Sequence, residues 1–305
     1  MRRVVLRASA KVNLALEVLG KRADGYHEIA TVLHAVDLTD RIVLEDADAV
    51  ALTTTARELP TGGENLCVRA ARLLQESVGV ERGVHIALDK RIPVAAGLGG
   101  GSSDAAAMLV GLTRLWRLRL GRERLHAAAV KLGMDVPFFL GTGRTLATGR
   151  GERLRALPAG GGYALVLVNP QFPLSTAEVY GRVGPAVFTD GARTRAMVEA
   201  LRRHSATAVA QALYNGLEVA VESAYPVIRR MKAALLGAGA LGAVMSGSGP
   251  TVFGVARSLD HARQVRDRVA RASWACWSVR TVSGAPVRIE SDTGRGDSRW
   301  GVAKR

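Results

Sequence analysis

PVAAGLGGGSSDAAAM (residues 93–108) sets four glycines in front of Ser102, Ser103 and Asp104, with a helix-forming Ala/Met run behind them. Glycines let backbone N–H groups approach a ligand closely, and the first turn of a helix offers unpaired donors and partial positive charge. The pattern therefore suits an anion such as a phosphate. A helix cap by Ser102, Ser103 or Asp104 after a loose loop explains the same letters. Lys11 and Asn13 stand two apart in an alternating stretch, so on a strand they share one face. Asp135 lies just after Gly133, where a helix ends, and before Val136 and Pro137. Each is ordinary alone, since lysines are commonly solvated and aspartates commonly form turns. Together they suit phosphoryl transfer. A carboxylate accepts the proton of an attacking hydroxyl, while an ammonium keeps it ionised and offsets charge developing on the alkoxide and phosphoryl oxygens.

The loop rules out one familiar alternative and weakens another. A Walker loop needs a lysine and Ser/Thr at the end of the glycine run, and no lysine falls between Arg91 and Lys131. A dinucleotide fingerprint on Gly97, Gly99 and Ser102 has serine for its third glycine and lacks the preceding parallel βαβ array.

Residues 3–18 alternate as a strand carrying Lys11 and Asn13, and RIVLEDADAVALTT (41–54) adds strand segments to the same sheet. Apolar spacing predicts a helix over 65–79, and GVHIALDKRIPVAAG (83–97) predicts a strand running into the glycine loop. The helix after the loop is expected to begin near Ser103, with Met108, Leu109, Leu112, Leu115 and Trp116 as its core stripe. A short helix follows over 122–132, and LPAGGG (157–162) marks a domain boundary. Beyond it come the strand YALVLVNP and helices near 192–204, 206–222 and 225–236. Strands LGAVMS and TVFGVA then bracket the turn GSGP, and a helix near 258–271 and a strand near 277–283 follow. This order suits an α+β sandwich of two domains, 1–157 and 158–285. Residues 286–305, polar and weakly periodic, are expected to form a flexible tail.

With 305 residues, 48% of them hydrophobic, the chain can build substantial cores. It has no apolar run long enough to span a membrane, and charged and polar residues interrupt the apolar stretch after Arg2 and Arg3 with strand-like alternation. Cys67 and Cys276 make neither a disulfide framework nor a zinc site, which fits a cytoplasmic location. The net charge of +15 is spread along the chain and aromatics are only 5%, so an anionic small substrate accounts for it better than a specific nucleic-acid partner.

PVAAGLGGGSSDAA, ASAKVNLALEVLGKRADGYHEI (8–29) and VMSGSGPTVFGV (244–255) resemble, in order and spacing, the three motifs of the GHMP kinases. That superfamily includes galactokinase, homoserine kinase, mevalonate kinase and phosphomevalonate kinase. Within it, AKVNLALEV joined to RADGYHE, together with GMDVPFF, resembles the 4-diphosphocytidyl-2-C-methyl-D-erythritol kinases of the non-mevalonate isoprenoid pathway. The resemblance runs to about residue 284. It implies a ribosomal-protein-S5-like N-terminal domain and a ferredoxin-like C-terminal domain. It also implies ATP as co-substrate, Mg2+, CDP-methylerythritol as the small-molecule partner, no membrane, and a monomer or homodimer. It makes Lys11 and Asp135 the catalytic pair. Pro93, Gly97, Leu98, Gly99, Gly100, Gly101, Ser102 and Ser103 become the ATP loop. Tyr26 stacks on cytosine, His27 hydrogen-bonds it, and Tyr180 covers its other face. Asn13, Thr176, Gly247, Ser248 and Gly249 contact substrate. The metal ligands are left open. The family's Y-N-D-L-E stands here with Gly216 for the acid, in a stretch expected to be helical, and the sequence from 286 on, including Trp300, has no counterpart. The rivals are a sister kinase of homoserine or a mevalonate derivative, which a substrate panel separates, and a non-catalytic basic binding protein on the same scaffold, which a kinase assay excludes.

Overall fold

The structure, a computed structural model, describes residues 2–158 and 160–293. Two long strands, β1 (Arg3–Lys21) and β2 (His27–Ala47), form its centre as an antiparallel pair. Around them in chain order stand β3 (Val50–Thr54), α1 (Leu66–Val78), β4 (Gly83–Asp89), α2 (Gly100–Leu115), α3 (Arg122–Leu132), α4 (Val136–Phe139), β5 (Arg144–Gly149) and β6 (Arg153–Ala156). The rest comprises β7 (Ala164–Asn169), α5 (Thr176–Gly181), α6 (Ala192–Arg202), α7 (Ala206–Gln211), β8 (Tyr214–Asn215), α8 (Glu218–Glu222) and α9 (Val227–Gly237). β9 (Gly242–Met245), β10 (Val252–Ala256), α10 (Leu259–Val269), β11 (Ala275–Arg280) and β12 (Val287–Asp292) follow.

The first sheet runs β12-β1-β2-β4-β3, with β5 on the first half of β2, β6 on β5, and β8 parallel to β1 at Ala15 and Leu16. The second is antiparallel in the order β11-β7-β10-β9. β2 lacks the alternation of a half-exposed strand because both its faces are covered. Leu33, Ala35, Ile42 and Leu44 pack toward α1 and α2, whereas Val32 and Val36 pack toward Leu165, Leu167 and Phe253 of the second sheet. A third cluster holds Val166 and Val168 against Ile228, Met231 and Leu235 of α9 and Val265 of α10.

Several expectations need correction. The strand entering the glycine loop stops at Asp89, because the Asp40 carboxylate takes the amides of Arg91 and Ile92 at 2.6 and 2.8 Å. α2 begins at Gly100 rather than Ser103, after Gly99 turns left-handed with φ 69°. The helix expected over 206–222 breaks into α7, β8 and α8, since the Asn215 side chain binds the Met245 and Gly247 carbonyls and the Leu217 amide. Gly216 therefore lies in a turn, where a helix penalty does not apply.

The flexible tail expected over 286–305 is also wrong in its first part. Residues 287–292 are β12, paired with Val4–Ala8 of β1, and Val287 is buried in the first core. Edge strands are often polar, which hid this one. The remainder, including Trp300, lies outside the described residues. A chain ending at Ala285 is expected to lose about 2 kcal/mol of unfolding free energy from the bared edge and the lost apolar burial. Urea denaturation checks this, and an unchanged midpoint would place β12 elsewhere.

Candidate active site

Lys11 sits mid-way along β1, and its neighbours Val12 and Leu14 are fully buried. The lysine is itself only 4% exposed, and its ammonium has an acceptor in each of three directions. Nζ donates to Asn13 Oδ1 at 2.6 Å and to the Gly97 carbonyl at 2.8 Å, and lies 3.8 Å from Asp135 Oδ2. Two hydrogen-bond acceptors and the Asp135 carboxylate beyond them favour the charged form. Burial lowers the Lys11 pKa below that of an ordinary lysine, and the Asp135 charge only partly offsets this. Asn13 is fixed in turn: its Nδ2 donates to Thr31 Oγ1 at 2.8 Å, and that hydroxyl donates to the Ala15 carbonyl. Asp135 occupies the position before α4, yet its carboxylate makes no capping bond. It is 41% exposed.

Two glycine turns from distant parts of the chain meet beside this pair. The Gly97 carbonyl accepts from Lys11 Nζ and also from Ser246 Oγ at 2.9 Å. A Cβ on Gly97, whose φ is 74°, would stand 2.1 Å from the Ser246 carbonyl, so no other residue fits. A Cβ on Gly247 would stand 3.0 Å from Lys11 Nζ and 3.2 Å from Asn13 Oδ1. Beyond Gly97, the amides of Gly100, Gly101 and Ser102 precede the first intrahelical bond of α2, from the Ser103 amide to the Gly99 carbonyl, and are left as donors for an anion.

A cleft of about 1090 Å³ runs over these groups. At one end stand Tyr26, His27 and Tyr180. The Tyr180 ring packs 5.4 Å from His27, while Tyr26 is 52% exposed with the Arg150 guanidinium 5.0 Å from its ring centre. Burial, with the nearby positive charge of Lys21, lowers the His27 pKa and favours a neutral imidazole, and its Nε2 is buried without a hydrogen-bond partner. Burial and the Asp135 charge push the Tyr180 phenol up, so it stays protonated. α5, capped by Ser175, brings Thr176 Oγ1 to 2.9 Å from Ser248 Oγ. The other end of the cleft is walled by Leu59, Pro60, Asn65, Leu66, Lys90 and Pro93.

Of the residues expected from the sequence, Lys11, Asn13, Tyr26, His27, Pro93, Gly97, Gly99, Gly100, Gly101, Ser102, Asp135, Thr176, Tyr180, Gly247 and Ser248 line this one cleft. Leu98, Ser103 and Gly249 do not. Leu98 is core, and its carbonyl accepts the Lys11 amide. Ser103 is fully buried, and Gly249 packs against Gly97 and Met245. Sequence reasoning missed Thr31, Arg150, the 59–66 wall and the brace behind the second turn. In that brace, Glu218 accepts the Met245 amide at 2.7 Å and is held by Lys232 at 2.7 Å. The fold brings these groups together: Thr31, Arg150 and the 59–66 wall lie in no motif read from the sequence, whereas Glu218 stands in the Y-N-x-L-E stretch with no role read for it.

Comparison with known proteins shows what the chain as a whole is similar to. The model of the GHMP kinases N-terminal domain matches residues 65–143, and that of the GHMP kinases C-terminal domain matches 197–276. A 4-diphosphocytidyl-2-C-methyl-D-erythritol kinase of Pelotomaculum thermopropionicum is 47% identical over 276 residues, 90% of this chain and 96% of that protein. One from Gloeobacter violaceus is 44% identical over 270 residues, 87% and 89% of the two chains. Among solved structures, a 4-(cytidine 5'-diphospho)-2C-methyl-D-erythritol kinase superposes with TM-score 0.79 at 38% identity, covering 93% of this chain and all of that one. A homoserine kinase from Cytophaga hutchinsonii shares the fold, with TM-score 0.74 at 19% identity over 94% of this chain and 97% of that one.

The contact between the glycine turns is directly testable. Gly97→Ala is expected to cost about 1–3 kcal/mol or more in stability through backbone strain and collision. Gly101→Ala, whose Cβ meets only Leu66 Cδ1 at 3.4 Å, should cost little. Thermal denaturation of the two variants separates them, and equal stability would mean that the turns do not touch.

Proposed function

This chain belongs to the 4-diphosphocytidyl-2-C-methyl-D-erythritol kinase family of the GHMP kinases. On that premise we propose that it transfers the γ-phosphoryl group of ATP to the 2-hydroxyl of 4-diphosphocytidyl-2-C-methyl-D-erythritol, giving the 2-phosphate and ADP. The observation that carries this reading is the Lys11–Asp135 pair, 3.8 Å apart, between a glycine-lined cradle and an aromatic recess.

The triphosphate is taken by the free amides at the head of α2, where the helix dipole adds to their pull. The cytosine sits at Tyr26, His27 and Tyr180, and a neutral His27 can both donate to and accept from its edge. Asp135 then faces the acceptor hydroxyl and removes its proton as the oxygen attacks phosphorus. Lys11, held by Asn13 and Gly97, stabilises the charge spreading over the phosphoryl oxygens. Direct transfer needs no enzyme nucleophile. The buried Cys67 thiol is pushed up by burial and does not act as one. Magnesium would neutralise phosphate charge. Among the described residues no three histidine, cysteine or carboxylate side chains gather to hold it, which suits an ion bound chiefly by phosphate oxygens and water. The protein oxygen at the head of α2 that would face such an ion is the Ser102 hydroxyl, on the cleft, whereas Ser103 is buried away from it. We place the enzyme in the cytoplasm: both cysteines are free, and among the described residues no helix is long and apolar enough to cross a membrane.

Asp135→Asn and Lys11→Ala are each expected to lower kcat about 10²- to 10⁴-fold with both substrates saturating. Near-normal turnover by either variant removes that residue from catalysis. His27→Ala should act mainly on the KM for the cytidine substrate, raising it about 10- to 100-fold. Turnover of homoserine in place of the cytidine compound would overturn the assignment. Turnover that needs charged Lys11 is present below its pKa and lost as pH rises through it. Since burial lowers that pKa, a pH–rate profile should show the alkaline loss below the 10.5 of an ordinary lysine.

A further inference from the structure

The turn after β9 is held from behind by a buried side-chain amide that the reaction as derived does not use. Asn215 lies on β8 and is 4% exposed. Its Nδ2 donates to the Met245 and Gly247 carbonyls, each at 2.8 Å, and its Oδ1 accepts the Leu217 amide at 2.9 Å. These partners fix which end of the side-chain amide is which, since only its nitrogen can donate to two carbonyls. β8 pairs with β1 at Ala15 and Leu16, and the Gly216 amide donates to the Leu16 carbonyl at 2.9 Å. The strand that carries Lys11 and Asn13 therefore also anchors Asn215.

Peptide geometry carries the effect of this clamp to the cleft. In a trans peptide the carbonyl and the N–H that follows it point in opposite directions. The Gly247–Ser248 bond is trans, so with the Gly247 carbonyl drawn to Asn215 the Ser248 N–H points away from Asn215. Asn215 lies behind the cleft lining, whereas Gly247 and Ser248 form part of it. The Ser248 amide donates to no acceptor among the described residues. A Cβ on Gly247 would stand 3.0 Å from Lys11 Nζ, so the turn that carries this free donor runs directly beside the ammonium. We propose that Asn215 is a positioning residue for phosphoryl transfer: by holding the Gly247 carbonyl it aims the Ser248 amide at the phosphoryl oxygens that Lys11 faces.

A donor aimed at those oxygens does most as charge spreads over them, so its loss lowers kcat more than it raises either KM. Asn215→Asp is the substitution closest in shape. It keeps an acceptor for the Leu217 amide but sets a carboxylate oxygen against the two carbonyls and removes their donors. The inference rests on Lys11 and the glycine loop serving ATP-dependent phosphoryl transfer, and the test distinguishes the two readings.

In Asn215→Asp, shown to be folded by circular dichroism, kcat is expected to fall about 10- to 100-fold, with the KM for ATP and for the cytidine substrate each changing less than about threefold. A smaller fraction of active molecules would give the same split, so a ratio independent of that fraction is measured as well. Sulfur accepts an N–H poorly, and the ratio of kcat with ATP to kcat with ATPγS should shrink about threefold or more in the variant. A folded variant that keeps the wild-type kcat, that loses through KM alone, or that keeps the wild-type ratio overturns the proposal. Should the variant fail to fold, the wild type decides. In isotope-labelled protein given CDP-methylerythritol and Mg-ADP with aluminium fluoride, a stand-in for the transferring phosphoryl group, the Ser248 amide proton should shift downfield. It should shift further than that of Ser246, whose amide is already bonded to the Thr251 carbonyl. A Ser248 resonance that moves no further than that of Ser246 overturns the proposal. Failure of the wild type to transfer phosphate from ATP to the cytidine compound would instead overturn the kinase reading.

Discussion

The carbonyl oxygen of Gly97 is the point on which the site depends. It accepts one bond from Lys11 Nζ and another from Ser246 Oγ, and so joins the first strand, the glycine loop and the turn after β9. A buried ammonium is costly unless its donors are satisfied, and here the acceptors that satisfy it also fix where it points. Moving any of the three segments would break at least one of these two bonds. The position of the Lys11 ammonium is therefore set by bonds that also tie β1 to the glycine loop and to the turn after β9.

Legibility in the sequence followed range. Lys11 with Asn13, the glycine run, Asp135 and the Tyr26-His27 step are each ordinary alone; they were singled out together once the three motifs were matched, and the fold brings them to one cleft. Most strands and helices were visible by periodicity. The second half of β2 was expected within 41–54, but its first half escaped because it is covered on both faces and shows no alternation over Ile29–Val36. β12 escaped because a polar edge strand reads like a tail. The helix expected over 206–222 failed on Asn215, whose three hydrogen bonds to distant backbone outweigh the local preference.

The groups that could not be read are those whose partners are remote in sequence. Asp40 and Lys90 are 50 residues apart, and nothing in either neighbourhood marks them as a pair. Thr31 looks like any strand threonine until Asn13 lies across from it. Glu218 and Lys232 are 14 residues apart, and only the fold shows that together they hold the backbone of Met245 in place. Such groups determine how precisely the site is set, and precision of this kind is a property of the assembled fold.

The position of β12 has a consequence for how the chain reaches this fold. β1 is flanked by β2, which follows it at once, and by a strand from the opposite end of the described chain. During synthesis the earliest strand must wait with one ladder open until the second lobe has emerged. Such long-range closure slows folding, and the waiting edge, rich in valine and leucine, is a place where an incomplete chain can pair with a neighbour. Arg3 and Arg7 on that strand place positive charge along the waiting edge and discourage such pairing until its own partner arrives.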